Sequence, residues 1–431
     1  MRLALLTAVE VLDSRGNPTL RVRATLSDGR VVSAGVPSGA STGSREAVEL
    51  RDHNPARYSG LGVSEAVDNV NGPIADALVG HVFGSFEKVD HLLTELDGTP
   101  NLANLGANAV VGVSLATARA FAMHAGQRLW QFLTPDGVEP RLPVPHFNVI
   151  NGGAHARNAL DFQEFMIAPL GAPSMAEAVR AGAEIYRQLR ANLTDRGLAT
   201  GLGDEGGFAP DITTPEQALT LLTEAITDSG YTTGPDGVMI ALDPAASEFQ
   251  HQDRYHVGGQ HLSATEMIER YAEMIDRFPI WSIEDGLGEN DSAGWQRLTA
   301  TLGDRVQLVG DDNFVTNAEL ISAAAVCGIA NAALIKVNQV GTVTGTLEAL
   351  RTCREADYGA MISHRSGETD DAFIADLAVG SGCGQIKSGA PARGERVAKY
   401  NRLTEIAATT RPGLPYGLPP ELRHRPKGPS L

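Results

Sequence analysis

The chain has 431 residues, 42% of them hydrophobic and 20% charged, with a formal net charge of −17. That length exceeds one compact core and predicts two domains, one of them large. The acidity would repel a phosphate backbone, which speaks against nucleic acid as a partner. No apolar run is long enough to cross a bilayer. The opening MRLALLTAVEVLDSRG offers no small-residue cleavage site before Glu10 and Asp13, so it reads as a strand and the protein as cytoplasmic. Cys327, Cys353 and Cys383 form no CxxC pair and read as reduced thiols rather than a disulfide framework or a zinc site.

The first third reads as a small α+β unit. Leu20, Val22, Ala24 and Leu26 alternate with Arg21, Arg23 and Thr25, which is strand periodicity; Ser27-Asp28-Gly29 supplies a turn, and Val31-Val32 begins the return strand. The loop SGASTG at 38–43 follows, and it lacks the Lys of a nucleotide-binding P-loop. Helical patterns come next: SREAVELRD, VSEAVDNVNGPIADALVG, SFEKVDHLLTELD and ANAVVGVSLATARAFAMHAG. TPDGVEPRLPVP at 134–145 marks a boundary. We therefore divide the chain into an N-terminal α+β lid domain at 1–138, an α/β barrel domain at 139–410 and a proline-rich basic tail at 411–431, the last expected to be partly unpacked.

Beyond the boundary, six short apolar runs each end in a charged or polar cluster. They end at Asp243, Glu284-Asp285, Asp311-Asp312, Lys336, His364-Arg365 and Lys387, with helix-like stretches such as ATEMIERYAEMIDRF and TVTGTLEALRTCREA between them. Short buried strands alternating with helices predict a parallel α/β sheet. Charge at strand end after strand end favours a closed barrel, whose strand C-termini share one face, over an open doubly wound sheet with a single crevice.

Asp243, Glu284 and Asp311 would put three carboxylates at that mouth, which repel unless a cation joins them; an all-oxygen set favours magnesium over zinc. Lys336 and Lys387 would face the same cavity, where nearby cations should lower a lysine's pKa and fit it for general-base work. His364-Arg365-Ser366 is a donor cluster suited to phosphate.

Matching strings run along nearly the whole chain: LDSRGNPT at 12–19, SGASTG at 38–43, LGANAVVGVSLA at 105–116, INGGAHA at 150–156, QEFMIAP at 163–169 and GDEGGFAP at 203–210. SIED, VGDD, IKVNQVGT, SHRSGET and GQIKSGAPARGERVAKYN follow in the barrel region. In this order they resemble the enolase family. The resemblance implies a modified eight-stranded TIM (β/α)8 barrel with a smaller α+β lid domain, and a homo-oligomer, commonly a dimer. It implies magnesium-dependent removal of water from 2-phosphoglycerate, giving phosphoenolpyruvate through an enolate, as in glycolysis. Asp243, Glu284 and Asp311 match the ligands of a first magnesium, and Ser41 a ligand of a second that arrives with substrate. Lys336 matches the base and Glu205 the acid, with Glu164 beside it. His155, Gln163, His364, Arg365, Ser366 and Lys387 match substrate contacts.

The departures from the family pattern are Arg157 after His155, Gly286 after SIED, Asn313 after VGDD, and SGCG at 381–384. They keep two alternatives in view. One is a paralogue that dehydrates a phosphonate analogue to carboxyphosphonoenolpyruvate in antibiotic biosynthesis, with Arg157 meeting the extra negative charge. The other is a non-catalytic homologue that acts as a binding protein.

Overall fold

The computed structural model describes residues 1–39 and 45–422. The N-terminal region opens with an antiparallel sheet of β1 (Leu3–Leu12), β2 (Pro18–Leu26) and β3 (Val31–Gly35). Its alternation is the one predicted: Leu20, Val22, Ala24 and Leu26 are buried, while Arg23 points outward. The helix Ala107–His124 lies on this sheet and is buried along most of its length. Gly112 permits that approach, since a Cβ there would stand 2.6 Å from Val22 and 2.9 Å from Val36. A helix at Phe86–Asp97 matches the SFEKVDHLLTELD pattern and ends at Gly98, whose φ of 70° suits glycine. VSEAVDNVNGPIADALVG is also helical, passing through a π-turn at Val70–Ile74 where Pro73 cannot donate.

SREAVELRD, in contrast, is not helical over its described residues. Its backbone is claimed by distant partners: Ala47 N donates to Gln339 O, Val48 N to Asn101 O, and Val48 O accepts from Ala107 N. Tertiary hydrogen bonds override a local helical preference of a few tenths of a kcal/mol per residue, as is usual.

The second region is a closed barrel. Its strands are β4 (Val144–Asn151), β5 (Glu164–Ala168) and β6 (Met239–Asp243). After a small sheet of β7 (Gln250–His251), β8 (Arg254–Val257) and β9 (Gln260–Leu262) come β10 (Ile280–Glu284), β11 (Gln307–Gly310), β12 (Ala332–Ile335), β13 (Gly359–Ser363) and β14 (Gln385–Lys387). All six apolar runs are barrel strands. These six strands pair parallel to one another, as predicted, and the departure is β5, which runs antiparallel to both β4 and β6. No helix of the usual crossover kind joins β4 to β5, and the two helices Met175–Asp195 and Pro215–Asp228 both come before β6, so β5 presents its N-terminal end to the mouth. Register places Glu164 beside both Asn151 and Asp243.

Capped helices return the chain between strands. Ser263 and Glu266 form a reciprocal capping box on Ala264–Arg277, and the Asn317 side chain accepts from Glu319 N and Leu320 N at the start of Ala318–Cys327. The proline-rich end is packed over part of its described length. Tyr416 donates to Pro169 O at 2.8 Å, and Leu418 and Leu422 pack with Val144, Met166, Met239 and Trp281 under the barrel. Residues 423–431 lie outside the described residues. Among those described, no helix is long and apolar enough to cross a membrane.

Candidate active site

The strand ends converge as predicted. Asp243, Glu284 and Lys387 are the last residues of β6, β10 and β14; Asp311, Lys336 and His364 directly follow β11, β12 and β13. One cavity at this mouth is lined by His155, Gln163, Glu164, Glu205, Asp243, Asp311, Lys336, His364, Arg365, Ser366 and Lys387. Glu284 is buried beside it, with both oxygens 2.8 Å from Lys387 Nζ. Ser41 lies outside the described residues.

Both lysines are held as ammonium ions. Burial opposes charge on Lys387, but Glu164, Glu284 and Asp243, at 3.5, 2.8 and 3.2 Å, more than offset it and raise its pKa well above the usual value. Lys336 forms a short ion pair with Asp311, which outweighs burial and raises it too. The predicted fall in pKa concerned an amine beside a bound metal cation, and the protein's own groups act the other way. The prediction assumed cations as neighbours, whereas here carboxylates surround the amines.

The acid pair behaves asymmetrically. His155, Glu164 and Glu205 bring ligand atoms within 4.8 Å of one another. Burial, then the charge of Glu205, pushes Glu164 well above the carboxylate range. Burial also pushes Glu205 up, but His364, His155 and Arg396 outweigh it and hold Glu205 well below that range. Asn148 Nδ2 adds a hydrogen bond to Glu205 at 3.0 Å. Two carboxyls this close do not both ionise, so the pair holds a proton between them.

His364 is positioned from behind. Arg396 is fully buried and directs Nη1 at His364 Nδ1, 2.5 Å away, while it also donates to Arg365 O and Ser366 O. A guanidinium can only donate, so Nδ1 is the acceptor and Nε2 carries the hydrogen that faces Glu205 Oε2 at 3.2 Å. Burial drives His364 down to about 4, which matches a neutral ring. Gly389 makes room for this packing: a Cβ there would lie 2.6 Å from Glu205 O and 2.8 Å from Arg396.

The N-terminal region reaches over the mouth. Ser38 and Gly367 exchange backbone hydrogen bonds of 2.7 and 2.8 Å, and Glu46 accepts from Arg365 Nη1 at 2.8 Å. Two family models match the chain in turn, "Enolase, N-terminal domain" over residues 4–133 and "Enolase, C-terminal TIM barrel domain" over 139–412. A Rubrobacter xylanophilus protein named "Enolase" is 54% identical over 412 residues, 94% of this chain and 95% of that protein. The chain belongs to the enolase family.

Enolase resemblance implies magnesium, and the donors at the mouth fit it. They are oxygens on buried side chains, and carboxylates outnumber the lysines among them. Burial, then Asp311, pushes Asp312 up to about 7. Such groups resist ionising until a cation joins them. Glu164 Oε2 and Gln163 Oε1 are buried without a hydrogen-bond partner. Asp285, Asp311 and Asp312 also bring oxygens within 4.8 Å of one another. Among the protein's own groups, Lys387 Nζ bridges Asp243 and Glu284, and Lys336 pairs with Asp311.

Several residues at the enolase-type mouth were given no role by the sequence reading. Asp285 sits at φ 43°, a strained position for a side chain, and its two oxygens accept from Asp311 N at 2.8 Å and Asp312 N at 3.1 Å. It thereby orients the turn that carries Asp311. Gln339 Nε2 donates to Asp311 Oδ1 at 2.8 Å. Glu46, Asn148 and Arg396 are the other three. The doubled acids of SIED and VGDD were the available signal for Asp285; the partners of Asn148 and Arg396 are remote in sequence.

Proposed function

We propose that the protein dehydrates 2-phosphoglycerate to phosphoenolpyruvate with bound magnesium. The observation that supports this best is the meeting, in one buried cavity, of Lys336 with the Glu164–Glu205–His364 group. A base and a proton-bearing acid pair then stand ready for the two halves of an elimination.

Asp243, Glu284 and Asp311 are the residues that would hold a first ion, with Ser41 serving a second that comes with substrate. Bound there, magnesium supplies positive charge against the second negative charge that forms on a carboxylate when its α-proton leaves. Lys336 accepts that proton as the free amine, which it becomes by releasing its own proton to solvent once Asp311 is engaged elsewhere and no longer holds the ammonium. Lys387 keeps its charge and orients the substrate carboxylate. Arg365 and Ser366, with His155 and Gln163, bind the phosphate and close the pocket, and His364 sits at its edge. Glu205 delivers the pair's proton to the departing hydroxyl, which leaves as water; the balance is one C–H and one C–O bond broken and one C=C bond formed.

Deuterium exchange tests the order of events. In deuterated buffer with magnesium, Glu205→Gln should still wash hydrogen out of C2 of 2-phosphoglycerate, while Lys336→Ala should not. Exchange that survives Lys336→Ala removes lysine as the base. Arg157 is exposed and does not line the mouth, so no observed contact supports a phosphonate substrate. Turnover of both substrates, followed by absorbance of the product double bond, checks that choice.

A further inference from the structure

After β6 the chain leaves the barrel to build the small sheet β7–β8–β9. On β8, Tyr255 and Val257 are buried and His256 between them faces outward. His261 on β9 is the direct register partner of His256. Their rings lie 15° from parallel with centroids 3.8 Å apart. His251 on β7 reaches the other side of His256, centroids 4.6 Å apart. His251 and His261 are exposed and His256 is half-buried. One histidine from each strand thus forms a ladder across the full width of the sheet.

Packing alone is a poor account of this ladder. Exposed imidazoles remove little apolar area from water, and protonating one sets a charge against the next. Burial, then the charges of His261 and His251, keeps the His256 pKa below its usual value, which favours the neutral ring that binds metal. Two Zn–N bonds of about 2.0–2.1 Å at a tetrahedral angle separate their nitrogens by about 3.3 Å. The rings lie nearly parallel with centroids 3.8 Å apart, so their in-plane lone pairs run side by side, and both imidazoles must turn about their side-chain bonds to bring two nitrogens to that separation. The rings stack rather than converge on a point, so an ion would take His256 with one neighbour, the remaining positions going to water or to the third ring after a rotamer change.

We propose that this histidine ladder is a second metal site, distinct from the acidic mouth, that takes a divalent transition ion such as zinc, nickel or copper. Imidazole favours these ions, whereas magnesium favours the oxygens of the mouth. Bound metal would clamp a sheet whose strands have only 2, 4 and 3 residues. The turn of that sheet is also tied to the site: Gly258 N donates to Asp161 Oδ2 at 2.7 Å, in the loop between His155 and Gln163.

The test adds copper(II) to the full chain saturated with magnesium and records its electron paramagnetic resonance. Wild type should show copper with nitrogen splittings. Loss of even an outer-shell partner weakens metal sites 10–100-fold, so His256→Ala should weaken this copper by roughly tenfold or more. The same variant should lose those splittings and keep magnesium-dependent turnover. A spectrum and affinity unchanged by His256→Ala assign the copper to His155 at the mouth and overturn the proposal, as does wild type showing oxygen ligands only. Should His256→Ala disturb the sheet, His261→Ala, at the exposed partner, carries the same expectation.

Discussion

The barrel interior holds two polar layers built on opposite terms. At the mouth, Asp243, Glu284, Asp311, Lys336 and Lys387 crowd charge together, and His155 Nδ1, Gln163 Oε1, Glu164 Oε2 and Asn148 Oδ1 are buried without hydrogen-bond partners. Deeper in, the polar groups are neutral and paired. Gln307 and Gln385 exchange two amide hydrogen bonds of 2.9 Å, and Gln307 also donates to Ser282 at 3.2 Å. Trp281 Nε1 donates to His146 Nε2 at 3.0 Å, and His146 Nδ1 faces Val144 O at 3.2 Å. Below them Val144, Met166, Met239 and Leu418 close the base with apolar side chains. Polar groups that serve the fold find partners within it. Those at the mouth bear a desolvation cost of roughly 1–3 kcal/mol per unpaired group, which a ligand can relieve.

The comparison breaks most visibly in the upper layer. Lys336→Ala should reduce kcat by roughly 10²–10⁴-fold, the usual worth of a positioned base, while leaving the unfolding midpoint near wild type. A variant that keeps its turnover would show that the mouth's charge has another purpose. Magnesium gives the next largest effect. At 100 times its Kd it should stabilise the protein by about 2.7 kcal/mol, read from urea or thermal unfolding. Asp243→Ala should abolish that gain and Gln307→Leu should retain it. If both retain it, the ion binds outside the upper layer.

Much of the upper layer was legible because its residues end strands. Asp243, Glu284, Asp311, Lys336 and Lys387 each follow a short apolar run, and such runs announce themselves by composition. Strand direction does not. EFMIA at 164–168 reads alike in either sense, so the reversal of β5 that brings Glu164 to the mouth was invisible. Nor did SREAVELRD betray that its backbone bonds with Asn101, Ala107 and Gln339. The lysine charge states depend on the number of carboxylates within reach of each ammonium, a three-dimensional quantity. The His364 tautomer depends on Arg396, 32 positions away. The lower layer was missed altogether, since isolated Gln and His residues inside apolar strands carry no periodic signal.

A pH series sharpens the contrast from below. Burial holds His146 down to about 4, against an ordinary 6.5. Between those values the unfolded chain takes up a proton that the folded protein refuses. Its contribution is therefore present above 6.5 and is lost progressively as pH falls towards 4. From about pH 7 to about pH 5 this group alone should cost about 2 kcal/mol of stability. His146→Gln, which can still accept from Trp281 and donate to Val144, should flatten that acid limb in urea titrations. An equal loss in the variant would assign the acid sensitivity to mouth groups such as His364.

The Gln307–Gln385 pair gives the smallest effect and the finest discrimination. Gln307→Leu strands both amide groups of Gln385 in a buried layer and should cost roughly 1–3 kcal/mol. Gln385→Leu should cost a similar amount by stranding Gln307, although Ser282 still accepts one of its hydrogens. Replacing both removes the unpaired groups together and should return stability to within about 1 kcal/mol of wild type, because apolar side chains of similar volume fill the space. Turnover should be unchanged in the double variant, since neither glutamine lines the mouth. Additive losses in the double-mutant cycle would mean that the two amides are not each other's main partners. A fall in kcat in the stable double variant would mean that the lower layer holds Lys387 in place through β14, and the two layers would then be one unit.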